Sequence, residues 1–274
     1  MKKHVYQPLR YFILTFVFTW VFWLTAVAFN SEDISIMIMI FGMFVPAIVS
    51  TVMILKSKDK ALICDFKERC LNFGKCKVSN IAIIVLIYLV SVGASILVSL
   101  CFGQSMGQFS FAEEFSFDGV SIIISLGILL SAAIFEEVGW RGYGVEGFAQ
   151  TNTWFKSTLM FSLIWSCWHL PLFWIPGTYQ CGLREANVWF MLNFFVSIIP
   201  LAFIITWVYL KNEKNIFACV FTHMFINFVQ ESIAMTAVTK CVQTFVLTGV
   251  AIALVAYDKK LFFRKDSTPA LSKV

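Results

Sequence analysis

Apolar runs long enough to cross a bilayer recur along almost the whole chain, and no other feature constrains its fold as strongly. About 20 helical residues span a ~30 Å hydrocarbon core. Eight segments approach that length, at about 11–29, 34–55, 80–102, 119–140, 157–175, 187–209, 216–230 and 241–257. The seventh is short and the fourth carries charge. Charged residues make up 14% of the chain, against the ~25% that a soluble domain uses to cover its surface. The expected fold is therefore all-α, a polytopic bundle of about eight transmembrane helices with no soluble domain. The first run, Tyr11 to Phe29, is too long for the core of a signal peptide and has no small-residue cleavage site after it.

The basic residues fix an orientation. Cytoplasmic loops hold the excess of Lys and Arg. With the N-terminus inside, eight spans place segments 1–10, 56–79, 141–156, 211–215 and 258–274 in the cytoplasm. Nineteen of the 21 Lys/Arg fall there, all but Arg184 and Lys240. The outer loops are bare or acidic, with Glu32, Asp33, Glu113, Glu114 and Asp118. Both termini are thus expected in the cytoplasm of a cell membrane. Three units follow: three N-terminal spans with a basic cytoplasmic loop (1–118), a core carrying the polar motifs (119–257), and a disordered cytoplasmic tail (258–274).

The loop from Lys56 to Lys77 sets seven basic residues against Asp59, Asp65 and Glu68. It is expected along the inner leaflet, where such charge sets topology or meets anionic headgroups. Cys64, Cys70 and Cys76 match no zinc spacing, and a reducing compartment keeps them as thiols. Cys181 and Cys241 fall near the outer face, where pairing is open to them. The last residues, Leu-Ser-Lys-Val, contain no Cys, so the chain is not expected to be prenylated itself. The partners expected are the bilayer and a membrane-associated peptide or protein, with no nucleic acid.

Ionisable residues at membrane depth are costly unless paired or hydrated, so each is a functional candidate. Three clusters hold them: Glu136, Glu137, Trp140 and Arg141 in the fourth run, Trp165 and His169 in the fifth, and His223 and Asn227 in the seventh. His169 and His223 are two of only three histidines, the third being His4. Glu137 and Arg141, four apart, share a helix face and are expected to pair. Glu136 is turned about 100° away, and is read as a carboxylate without a local partner, free to point into the bundle. His223 and Asn227 stand one above the other, and Trp165 sits one turn before His169. Counted from the inner boundary at 1.5 Å per residue, His169 lies roughly 18 Å deep, His223 roughly 10 Å and Asn227 roughly 16 Å. Glu136 reaches that layer if its helix continues past Arg141. Each group also has a plain structural use: a buried Glu–Arg pair holds helix ends together, and a lone membrane histidine bonds its neighbour.

The ordered set Glu136-Glu137…Arg141, Trp165…His169 and His223…Asn227 resembles the CPBP family of membrane proteins. That family comprises the type II CAAX prenyl endopeptidases and the bacteriocin-processing and self-immunity (Abi) proteins. The resemblance covers about residues 119–230, with Trp165 where the family pattern usually has Phe. It implies an intramembrane endopeptidase whose site opens towards the cytosol. Glu136 and His169 would activate water, His223 and Asn227 would stabilise the oxyanion, and Glu137 and Arg141 would support the site.

The residues themselves reach the same class, because hydrolysis needs an activated water and donors for an oxyanion. A zinc route stays open beside the metal-free one, with Glu136, His169 and His223 as a His₂Glu ligand set. The substrates in view are a CAAX-like prenylated C-terminus, a bacteriocin or pheromone precursor, or another membrane-anchored protein. The short chain suggests a prokaryotic source and, by family analogy, favours peptide maturation or immunity over true CAAX processing. A proton-coupled transporter and a non-catalytic bacteriocin self-immunity protein are the competing readings. Against the first, no inverted repeat is visible.

Overall fold

The computed structural model describes residues 6–265, apart from Asn30 and Glu114. His4, the acidic Glu114 and the tail from residue 266 therefore lie outside the described residues, while the tail expected to be disordered begins as a helix over Lys259–Phe263. In chain order the α-helices are α1 (Pro8–Val27), α2 (Glu32–Met43), α3 (Val45–Lys56), α4 (Lys60–Leu71), α5 (Val78–Ser99), α6 (Gly119–Gly139), α7 (Val145–Ala149), α8 (Trp154–Trp168), α9 (Tyr179–Ala186), α10 (Val188–Lys211), α11 (Ile216–Ser232), α12 (Ala237–Tyr257) and α13 (Lys259–Phe263).

A helix occupies each of the eight apolar runs. Six helical stretches are long and apolar enough to cross a membrane: Pro8–Val27, Glu32–Lys56, Val78–Phe102, Gly119–Ala149, Val188–Lys211 and Ala237–Tyr257. A seventh is reached if α8, its following turn and α9 count as one span bent by 80°. The remaining run forms α11, which at 17 residues is shorter than any of the six. The protein is a polytopic helical membrane bundle.

The two ends of the bundle are knitted by bonds between distant segments. At the basic end, the Tyr6 N–H donates to Gln150 Oε1 (3.0 Å), Asn215 Nδ2 to the Asn72 carbonyl (2.8 Å) and the Lys77 N–H to Asn212 Oδ1 (2.7 Å). Thr153 pairs with Lys265 in an isolated antiparallel bridge. At the opposite end, the Ala112 N–H donates to the Ser232 carbonyl and the Ala234 N–H to the Ser110 carbonyl. The segments that the Lys/Arg pattern puts on one side of the membrane are therefore the ones that meet.

Two helices depart from their apolar runs. The fifth run extends to 175, but α8 stops at Trp168 with His169 as its C-cap, followed by a 3₁₀ turn over Leu170–Trp174. Pro171 explains the stop: it has no N–H to give the helix, and it disfavours helical geometry at the residue before it. His169 therefore sits at a helix end rather than in mid-helix. In the other direction, α6 does not stop at Arg141. It passes through a widened, π-type turn over Trp140–Gly144, where the Val145 N–H reaches back to the Trp140 carbonyl, and continues as α7 to Ala149.

The basic loop forms α4, whose Asp59 cap accepts the Ala61 and Leu62 N–H groups. Its buried positions are Leu62, Phe66 and Arg69, spaced on one helical face. The expectation that the loop's charge lies against the leaflet is corrected at Arg69, which is only 5% exposed. Its guanidinium finds its acceptors inside the protein. Cys181 and Cys241 are both free thiols.

Candidate active site

Glu136 and Glu137 close the last regular turn of α6, and the widened turn that follows supplies a donor to each. The Trp140 indole N–H donates to Glu136 Oε2 at 3.1 Å. Arg141 Nη1 lies 2.9 Å from both oxygens of Glu137, the expected ion pair. A second indole, Trp165 of α8, also donates to Glu136 Oε2, at 2.8 Å. Glu136 is thus not the partnerless carboxylate that the sequence suggested: one oxygen holds two indoles. It does face the bundle interior, 7% exposed, and among the described residues its Oε1 carries no such bond.

Glu137 is engaged twice. Besides Arg141, its Oε1 meets Nδ1 of His223 at 2.9 Å. This link between α6 and α11 joins residues 86 apart, and charge spacing along one helix could not reveal it. Arg141 is fully buried, and its Nε and Nη2 have no hydrogen-bond partner among the described residues. Its guanidinium lies instead over the Phe161 ring (4.9 Å) and the Trp165 ring (5.6 Å), where the negative ring faces offset part of the desolvation of the cation.

His169 Nδ1 lies 2.8 Å from the carbonyl of Trp165, four residues back. A carbonyl only accepts, so Nδ1 carries the proton, and in the neutral ring Nε2 keeps a free lone pair. The His223 Nδ1 likewise faces an acceptor, which leaves Nε2 as its outward atom.

Trp165 joins the three motifs. Its indole N–H holds Glu136, and its ring centroid lies 6.0 Å from that of His169 and 5.5 Å, edge-on, from that of His223. The structure thus brings Glu136, Glu137, Arg141, Trp165, His169 and His223 into one cluster. Asn227, half-buried, stands one turn beyond His223 on α11. Phe194 of α10 adds an edge-on contact to His169 at 5.4 Å.

The zinc alternative finds no ready site. Among the described residues no three His, Cys, Asp or Glu side chains are grouped to hold a metal ion. Glu136 Oε2 is given to indoles, and both Nδ1 atoms are given to acceptors. The three side chains are not gathered around one point, while the atoms a zinc ion would use, Glu136 Oε1 and both Nε2 atoms, are left outside these bonds.

The chain is similar to known proteins over this region and beyond it. Residues 117–229 match the family described as Type II CAAX prenyl endopeptidase Rce1-like. That interval contains every member of the cluster. The chain is also 40% identical over 269 residues to a curated archaeal protein, CAAX prenyl protease 2 of Methanococcus maripaludis, covering 97% of this chain and 99% of that one. Similarity at that level over both full lengths shows the family: this chain belongs to the type II CAAX prenyl endopeptidases, a family of intramembrane proteases.

Proposed function

We propose that the protein hydrolyses a peptide bond near the end of a membrane-associated chain, using a water activated by Glu136 and His169. The observation that carries this reading is the junction at Trp165, which holds the carboxylate and packs both imidazoles. A water between Glu136 and His169 Nε2 would give one proton to the carboxylate and one hydrogen bond to the ring. Its oxygen attacks the carbonyl carbon. The tetrahedral oxyanion is stabilised by the Asn227 amide and by Nε2–H of His223 as an imidazolium, whose Nδ1–H stays on Glu137. Collapse expels the amine, which takes its proton from Glu136. Both bonds between Glu136 and the indoles fix the carboxylate before substrate arrives, which is the positioning such a step requires.

The substrate class we favour is a prenylated C-terminus of the CAAX type. The end-to-end similarity to a protein named CAAX prenyl protease supports it over a bacteriocin or pheromone precursor. The Lys/Arg pattern supports a cell-membrane protein of prokaryotic type with both termini in the cytosol, so the scissile bond would be reached from that side. Purified protein in detergent or liposomes should cleave a farnesylated peptide ending in Cys and three further residues. Glu136→Gln should lose ~10²-fold or more in kcat, in line with removal of a general base, while remaining folded. Unimpaired cleavage by that variant would overturn the reading. Metal analysis of the same active preparation decides the route: stoichiometric zinc, lost together with activity on chelation, would overturn the metal-free mechanism.

A further inference from the structure

A cation from a distant part of the chain bonds two carbonyls of the widened turn. Arg69 Nη1 donates to the Arg141 carbonyl at 2.9 Å and Nη2 reaches the Gly142 carbonyl at 3.4 Å. Nη1 also meets the Tyr209 hydroxyl (3.0 Å) and Nη2 the Tyr6 hydroxyl (3.3 Å), while Nε donates to Asp65 Oδ2 (2.8 Å). A planar guanidinium with five fixed donors fits this set, and an ammonium does not. Tyr209 joins the same point from α10: its hydroxyl lies 3.3 Å from the Arg141 carbonyl and donates to Glu146 Oε1 at 2.8 Å. Glu146 in turn pairs with Lys214.

The backbone that Arg69 holds is the backbone that serves both carboxylates. Trp140 and Arg141 open the widened turn, and their side chains are the donors to Glu136 and Glu137. Such turns are rare and occur mostly as single insertions in α-helices, and the bonds from Arg69 tie this one to α4. The approach is also tight: a Cβ at Gly142 would lie 2.7 Å from the Phe66 ring. Helix α4 therefore presses directly on the turn, with Phe66 against Gly142 and Arg69 on its carbonyls.

We propose that Arg69 is a positioning residue for hydrolysis: from the cytoplasmic loop it locks the widened turn and so sets the geometry of Glu136 and Glu137. The proposal rests on the protease reading for its kinetic consequence, but not for its structural one. The experiment compares wild type, Arg69→Gln and Arg69→Lys in two readouts. The first is steady-state cleavage of the farnesylated peptide. Arg69→Gln should lower kcat by ~10- to 10²-fold, as small misplacements of catalytic groups do, with KM changed by less than ~3-fold and the thermal midpoint nearly kept. Arg69→Lys should recover part of that loss. The second is amide hydrogen exchange, in which Arg69→Gln should accelerate exchange in peptides covering residues 136–145 and leave α12 as it was.

Unchanged exchange at the turn would overturn the proposal, and so would faster exchange with an unaltered kcat. A loss of kcat that merely follows a global fall in thermal midpoint, with exchange faster everywhere, would reduce Arg69 to a structural residue and also overturn it. A wild type that cleaves nothing would overturn the protease reading alone, and the exchange comparison would still decide whether Arg69 holds the turn.

Discussion

At the scale of residues, the site is built from neutral donors as much as from charges. The Glu137–Arg141 pair was legible, because an acid and a base four apart on a helix face each other. The Glu136–Trp140 bond has the same spacing, but an indole N–H carries no charge and is passed over when a sequence is searched for ion pairs. The role of Arg69 was not legible. Its i,i+4 partner Asp65 looks like an ordinary surface pair, and its other partners are phenols and carbonyls as far as 140 positions away. The two indoles on Glu136 give a direct test. Trp165→Phe keeps a ring against both imidazoles and removes one hydrogen bond, of the charge-assisted kind worth about 1.5–3 kcal/mol. We expect kcat to fall roughly tenfold, at most ~10²-fold, without loss of fold. An unchanged kcat would show that the bond to Trp165 does not position Glu136.

At the scale of elements, apolar length found a helix in every run, although six or seven rather than eight are long enough to cross, and helix ends and close contacts followed from single residues. Pro171 marks the end of α8, yet hydrophobicity continues beyond it to Ile175, so run length alone overshoots. Gly139 is a second such residue. A Cβ there would fall 2.5 Å from the Pro46 side chain and 2.6 Å from its backbone carbonyl carbon, at the start of α3. Backbone cannot swing aside as a side-chain tip can, so Gly139→Ala should destabilise the α3–α6 contact by about 1–3 kcal/mol, as overpacking does. Gly249→Ala in α12 meets open space and serves as control; thermal midpoints of the two variants should separate accordingly. Helix α4 makes a prediction about pH. Burial pushes the Cys70 thiol up to about 11. The folded state thus binds this proton more tightly than the unfolded chain, and docking of α4 loses stability as pH rises above the ordinary thiol range near 9. Alkylation of Cys70, followed by peptide mass spectrometry, should stay slow at pH 8 and climb steeply only towards pH 11. Fast alkylation at pH 8 would mean that the α4 face is not docked.

At the scale of the whole molecule, the topology and the knitting of the two ends support each other. Bonds at one end join segments from the N-terminus, α4, the α7–α8 junction, the α10–α11 loop and the C-terminal helix. An odd number of crossings would separate those segments. Cysteine-accessibility mapping in intact cells should therefore find positions near Lys58 and Lys259 on one side and positions near Glu113 and Arg184 on the other. Labelling of both sets from outside would overturn the topology. The local donors on α6 bear on how such a bundle is made. During synthesis the helix that holds Glu136 and Glu137 enters the membrane before His223 has been translated, 86 residues later. At about 5–20 residues per second that interval is roughly 4–17 s. Neither carboxylate has to wait, because each has its donor four residues on, in Trp140 and Arg141. Helix α6 carries the solvation of its own acids into lipid, and a newborn chain can hold the future site in the bilayer before the histidines arrive.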